Sequence, residues 1–280
     1  MQSFIKNVDE TTQDRARMVR GLTVEMIHTS GGGHFGGALS VVDILTVLFE
    51  SFIRMPPTDP RSARHARDRF VLSKGHAAPA YYATLAQRGL VEKSKLNAYA
   101  THGAALQGHP DMTMEPEVDF STGSLGQGLS VALGMALALR ARHGKAWAVL
   151  GDGECQEGQV WEAAMLASRL KLDNLVAVVD VNGRQEWGFR RDGVVLPPVD
   201  ALTEKWRAFG WAVSCCDGHD HGALEKALQV ASKRDGKPGV VLAYTVKGYG
   251  SDLIESDPDR FHCDALSDLE YRKVMMEVAQ

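Results

Sequence analysis

Five short apolar runs are spaced along this chain, and segments of helical period separate them. Arg67-Asp68-Arg69-Phe70-Val71-Leu72-Ser73 reads as a short strand. Ala146–Leu150, Leu175–Val179, Trp211–Cys215 and Val240–Val246 are further runs of strand length. Thr11 or Thr12 can cap a helix to about Thr29, with Val19, Leu22, Thr23, Met26 and Ile27 as its apolar stripe. A second helix, Ser40 to Phe52, places Val41, Ile44, Leu45, Leu48 and Phe49 on one face. Further helices are predicted at Pro79–Gln87, from the glycine-rich turn 121–128 to about His143, and at Glu157–Leu170, Leu202–Phe209, Ala223–Arg234 and Ser267–Val278. Gly31–Gly37, Arg184–Pro198 and the Pro-rich Met55–His65 read as loops. Apolar strands alternating with helices predict an α/β fold, a parallel sheet covered by helices on both faces. No repeat or compositional break divides the chain, so one domain over residues 1–280 is expected.

Composition narrows the function classes. The 280 residues are 44% hydrophobic, enough for a substantial core. A formal charge of −4 gives no electrostatic case for nucleic acid or an anionic membrane surface. The N-terminus lacks the apolar core of a signal peptide, and no run is expected to reach the roughly 18 apolar residues of a membrane span. A soluble, cytoplasmic protein is the expectation. Cys155, Cys215, Cys216 and Cys263 show no spacing that suggests a disulfide framework or a zinc site.

The chemistry concentrates at two strand ends. Ala146–Leu150 leads into Gly151-Asp152-Gly153-Glu154, and Leu175–Val179 leads to Asp180 and, thirty residues after Asp152, to Asn182. A carboxylate, an amide oxygen and a nearby backbone carbonyl suit magnesium better than zinc. Gly151 and Gly153 let the backbone approach a diphosphate, and a helix start just beyond favours its charge. Glycine-flanked histidines recur in Gly33-His34, Lys74-Gly75-His76 and Gly108-His109-Pro110, followed by Gly123-Ser124-Leu125-Gly126-Gln127-Gly128 and, late in the chain, His262.

The Gly-Asp-Gly, spacer and Asn pattern resembles the thiamine-diphosphate motif, and with the histidine loops the chain resembles the N-terminal part of transketolases from about Gly21 to Ser267. The resemblance implies the thiamine-diphosphate-binding fold. It implies Mg²⁺ (or Ca²⁺) held by Asp152, Asn182 and the carbonyl of Arg184, and a diphosphate approached by Gly151 and Gly153 and reached by His76. Gly123 and Leu125 would line the aminopyrimidine, and His34, His109 and His262 would face the substrate channel. Glu157 and Glu162 match carboxylates that link paired cofactor sites across an interface between chains. His28, His65, His102, His143, His219 and His221 are left with structural or surface roles. The resemblance further implies transfer of a two-carbon ketol unit from a ketose to an aldose. A separate C-terminal subunit would supply the pyrimidine-binding and C-terminal domains, in an α2β2 assembly. Phe35, Ser124 and Glu186 stand where the family usually has proline, proline and an apolar residue. The α-subunit of a 2-oxo acid dehydrogenase and a non-catalytic cofactor-binding regulator are the competing readings.

Overall fold

The computed structural model describes residues 11–55, 67–186, 188, 190–191 and 194–280. His65 and Trp187, and the connection that follows Met55, lie outside the described residues, as does the N-terminal stretch read for a signal peptide. The strands are β1 (Arg69–Leu72), β2 (Ala146–Gly151), β3 (Leu175–Val181), β4 (Arg190–Arg191), β5 (Val194–Val195), β6 (Ala212–Asp217) and β7 (Gly239–Tyr244). An all-parallel sheet has the order β1-β2-β3-β7-β6. β4 and β5 pair as a small antiparallel ribbon inside the stretch expected to be irregular.

The helices are α1 (Thr12–Thr29), α2 (Phe35–Leu39), α3 (Val42–Val47), α4 (Ala78–Gln87), α5 (Gln127–Leu139), α6 (Gly158–Arg169), α7 (Leu202–Ala208), α8 (His221–Ala231), α9 (Asp252–Ser256) and α10 (Asp268–Val278). Thr11 caps α1 reciprocally with Asp14, and Ser267 caps α10 with Glu270, so orphan N–H groups at both starts find partners. Alternate strand residues feed two cores. Phe70, Leu72, Trp147, Val149, Val176 and Val178 pack with α1, α3, α4, α8 and α10. Val71, Ala148, Leu150, Ala177, Val179 and Leu242 pack with α5, α6 and α7. Fully burying a Val or Leu in either layer contributes about 1.5–3 kcal/mol. Both faces of the sheet are covered, as the continuous apolar strands predict.

Three expectations change. The Gly31–Gly37 loop ends early, because α2 begins at Phe35 and contains Gly36 and Gly37. The helix expected over Ser40–Phe52 starts only at Val42, after a turn at Ser40–Val41, and widens into a π turn at Leu48–Phe52. Phe35–Phe52 is also long and apolar enough to cross a membrane, with mean hydropathy 1.6, contrary to the expectation that no run reaches that length. It is 83% buried inside the protein and lies in the first of the two cores.

Candidate active site

Parallel strands place all their carboxyl ends on one edge, where ligand crevices form in such sheets. The chain leaving β1 carries Lys74 and His76, that leaving β2 carries Asp152, that leaving β3 carries Asn182, and that leaving β7 carries Lys247. They open on a cleft of about 430 Å³. Of the residues expected at a site, His34, His76, His109, His262, Gly123, Leu125, Gly151, Asp152, Gly153, Glu157, Asn182 and Arg184 all line it. Glu162 does not: it points outward from α6, while Glu157 sits exposed on the rim.

Under the floor lies Asp180, fully buried at 0% exposure. It takes the Lys74 ammonium, the Thr245 hydroxyl and the Ser40 hydroxyl, the last at 2.6 Å. Lys74 Nζ also donates to the Gly37 carbonyl at 2.8 Å. One buried ion pair therefore joins the ends of β1, β3 and β7 to α2. Removing one partner of such a pair leaves a bare buried charge, at a cost of about 3–5 kcal/mol.

Asp152 is a second buried carboxylate, and among the described residues it has no ion-pair partner. Its Oδ1 accepts from Gly153 N–H at 2.9 Å and its Oδ2 from Gly183 N–H at 2.7 Å. Burial, and then repulsion from Asp180, pushes its pKa up to about 7. Asn182 Nδ2 lies 3.4 Å from Ser40 Oγ and 3.5 Å from Asp180, and its Oδ1 accepts from Arg184 N–H at 3.1 Å. The Arg184 carbonyl lies beside the same loop, 3.8 Å from where a Cβ on Gly153 would stand. No cluster of three or more His, Cys, Asp or Glu among the described residues suits a metal. Here one carboxylate is joined by neutral oxygens, a donor set that suits a hard divalent cation sharing its shell with phosphate. A Cβ on Gly151 would enter open space, leaving a cradle in the cleft wall. The turn after Asp152 is a 3₁₀ turn, Gly153–Gln156, and α6 begins only at Gly158.

Four histidines arch over this floor. Ring centroids of His34 lie 5.3 Å from His76, 5.5 Å from His262 and 6.3 Å from His109, and those of His76 and His262 are 5.9 Å apart. Burial, followed by neighbouring positive charge, lowers the pKa of His34 and holds that of His76 well below the ordinary value. His262 falls to about 3, from burial and then Lys247, whose Nζ is 3.0 Å from His262 Nδ1. Burial lowers His109 as well, and brings Lys247 down to about 8. These rings are neutral near pH 7.

Sequence reasoning missed Lys74, Asp180, Glu154 and Lys247. A signal existed for two of them: Asp180 ends an otherwise apolar run, and Lys74 separates a buried strand from a glycine. His219 and His221, left with structural roles, both hydrogen-bond Asp43, at 2.8 and 2.9 Å.

The chain matches the family of the transketolase thiamine-diphosphate-binding domain over residues 11–278. It is 41% identical over 245 residues to the 6-deoxy-6-sulfo-D-fructose transketolase subunit SqwG of Clostridium sp. (strain MSTE9), covering 87% of each chain. It is 37% identical over 264 residues to an apulose-4-phosphate transketolase subunit of Actinobacillus succinogenes, covering 94% of each. Among solved structures it resembles transketolase from Leishmania mexicana, at 26% identity and TM-score 0.84, and that from Campylobacter jejuni, at 29% and 0.84. It covers 96% and 95% of its own length in these matches but only 41% and 42% of those chains.

Proposed function

Given that this chain belongs to the transketolase family of transferases and carries its thiamine-diphosphate-binding domain, we propose that it is one subunit of a two-chain transketolase. The reaction moves a two-carbon ketol unit from a ketose or ketose phosphate to an aldose, with thiamine diphosphate and Mg²⁺ (or Ca²⁺). The single observation that carries this reading is the pairing of an oxygen cage with a histidine arch across one cleft. Asp152, Asn182 and the Arg184 carbonyl form the cage. His34, His76, His109 and His262 form the arch.

When bound, thiamine diphosphate supplies an electron sink for the carbanion left by cleavage beside the carbonyl. The chain's own residues do the rest. Asp152 and Asn182 hold the cation, and Gly151 and Gly153 admit the diphosphate, which His76 reaches. Gly123 and Leu125 face the aminopyrimidine through their backbone. His34, His109 and His262 contact the donor hydroxyls and assist the proton transfers, His262, with a pKa of about 3, as a hydrogen-bonding group rather than as a base. Glu157 and Glu162 face a neighbouring chain. The relatives that match most of this chain are named as subunits, which supports a separate partner chain; closed two-fold symmetry, the common solution, makes the assembly α2β2. The named relatives lend no support to a 2-oxo acid dehydrogenase.

The test is a transfer assay with purified chain, its co-purifying partner, thiamine diphosphate and Mg²⁺, against panels of ketoses and aldoses. A product two carbons longer than the aldose is expected only when both chains are present. No transfer under any of these conditions overturns the activity, and full turnover by the chain alone overturns the partner requirement.

A further inference from the structure

Glu154 is 2% exposed, yet it is not spent on an ion pair among the described residues. Three donors from three different loops converge on its carboxylate. The Ser73 hydroxyl, just after β1, donates to Oε1. The Gly126 N–H, at the end of the turn that carries Gly123 and Leu125, donates to the same oxygen at 2.9 Å. The Gly151 N–H, at the end of β2, lies 3.2 Å from Oε2. The far end of the 123–125 turn is tied separately, by the Thr122 hydroxyl to the Leu72 carbonyl at 2.7 Å. Between these two anchors the turn is packed too tightly to shift unaided: a Cβ on Gly75 would stand 2.8 Å from Gly123 N, and one on Gly126 2.6 Å from Glu157 Cβ. Gly126 itself has φ +85°, which glycine adopts without strain.

We propose that Glu154 is a positioning residue that fixes the Gly123–Leu125 turn at a set distance from the Gly151–Gly153 loop, so that one elongated ligand can touch both at once. This deepens the cofactor reading and rests on it: the diphosphate end meets the Gly151–Gly153 loop and the pyrimidine end meets the turn. Every partner of Glu154 is a donor, so the side chain must accept at both oxygens. Glutamine keeps the volume but turns an NH₂ toward a backbone N–H, and that mismatch lets one loop go.

The test uses the full chain with Glu154→Gln and Ser73→Ala, assembled with its partner and titrated by calorimetry with thiamine diphosphate plus Mg²⁺ and, separately, with inorganic diphosphate plus Mg²⁺. Deuterium exchange is followed by mass spectrometry on each unliganded variant. For E154Q we expect thiamine diphosphate to bind about tenfold to a hundredfold more weakly, inorganic diphosphate to bind nearly as before, and exchange to quicken in peptides spanning 122–127 and 150–153. S73A, which leaves both N–H bonds, should show the same pattern at smaller amplitude. Equal weakening of both ligands, or exchange quickened evenly through β3, β7 and α1, would mean a general fold defect and overturn the proposal. So would wild-type affinity with unchanged exchange. If the unaltered chain takes up no thiamine diphosphate even with its partner present, the cofactor reading fails, and the exchange pattern alone decides whether Glu154 clamps the two loops.

Discussion

Among the described residues, Asp152 has no ion-pair partner to balance its charge. With a pKa of about 7 against 3.8 when unfolded, the folded chain binds more protons than the unfolded one between those values, so ligand-free stability falls as pH rises through that window. A divalent cation takes the place of that proton. Mg²⁺ with thiamine diphosphate should therefore raise the melting temperature far more at about pH 8 than at about pH 5.5. Asp152→Ala should abolish the Mg²⁺-dependent part of thiamine diphosphate binding in calorimetry without lowering the melting temperature of the ligand-free chain. The histidines pull the other way. Their folded values lie below 6.5, so the unfolded chain binds more protons and stability is lost as pH falls below about 6.5, for His262 down to about 3. Thermal melts of the ligand-free chain should show this acid loss, and His262→Gln should make it shallower.

One element, α2, explains why the glycine count misled. Gly31 to Gly37 reads as loop because glycine weakens a helix by about 1 kcal/mol per residue, yet Gly36 and Gly37 lie inside α2. Their reason for being glycine is tertiary: a Cβ on Gly36 would stand 2.9 Å from Lys247 Cγ, and one on Gly37 2.9 Å from His76 Nε2. Those partners lie far away in sequence, and no local pattern announces them. An alanine in place of Gly37 should thus improve the helix and spoil the site. We expect Gly37→Ala to keep or slightly raise the melting temperature while activity with the partner falls on the order of tenfold to a hundredfold, since small misplacements of catalytic groups cost that much. A drop in melting temperature with unchanged activity would contradict this. The strands were legible for the opposite reason. Leu175–Val179 and Ala146–Leu150 are apolar without interruption but only five residues long, a length and pattern that fit a strand covered on both faces.

At the scale of the whole molecule, strand direction alone brings the loops after residues 72, 151, 181 and 244 to one edge, so their convergence was legible once the sheet was read as parallel. The Lys74–Asp180 pair was not, because its meaning depends on which strands are neighbours: two residues 106 apart in the chain meet only after β1, β2 and β3 align. The outer faces of α5 and α6 pose the same question for assembly. Leu137, Met165 and Leu166 are 48%, 53% and 45% exposed, and Glu162 projects from the same exterior of α6. Exposed apolar side chains that join into one patch mark an interaction surface. A second chain seated there would bury them, and would also bring a neighbour to Glu157 at the rim of the cleft. Met165 is 53% exposed, so the melting temperature of the isolated M165R chain should hold. Its assembly with the partner, followed by light scattering, should weaken, and transfer activity should fall in step and recover at higher protein concentration. An M165R variant that assembles like the unaltered chain would mean that the chains meet on another face, and Glu162 would then lose its place at the interface.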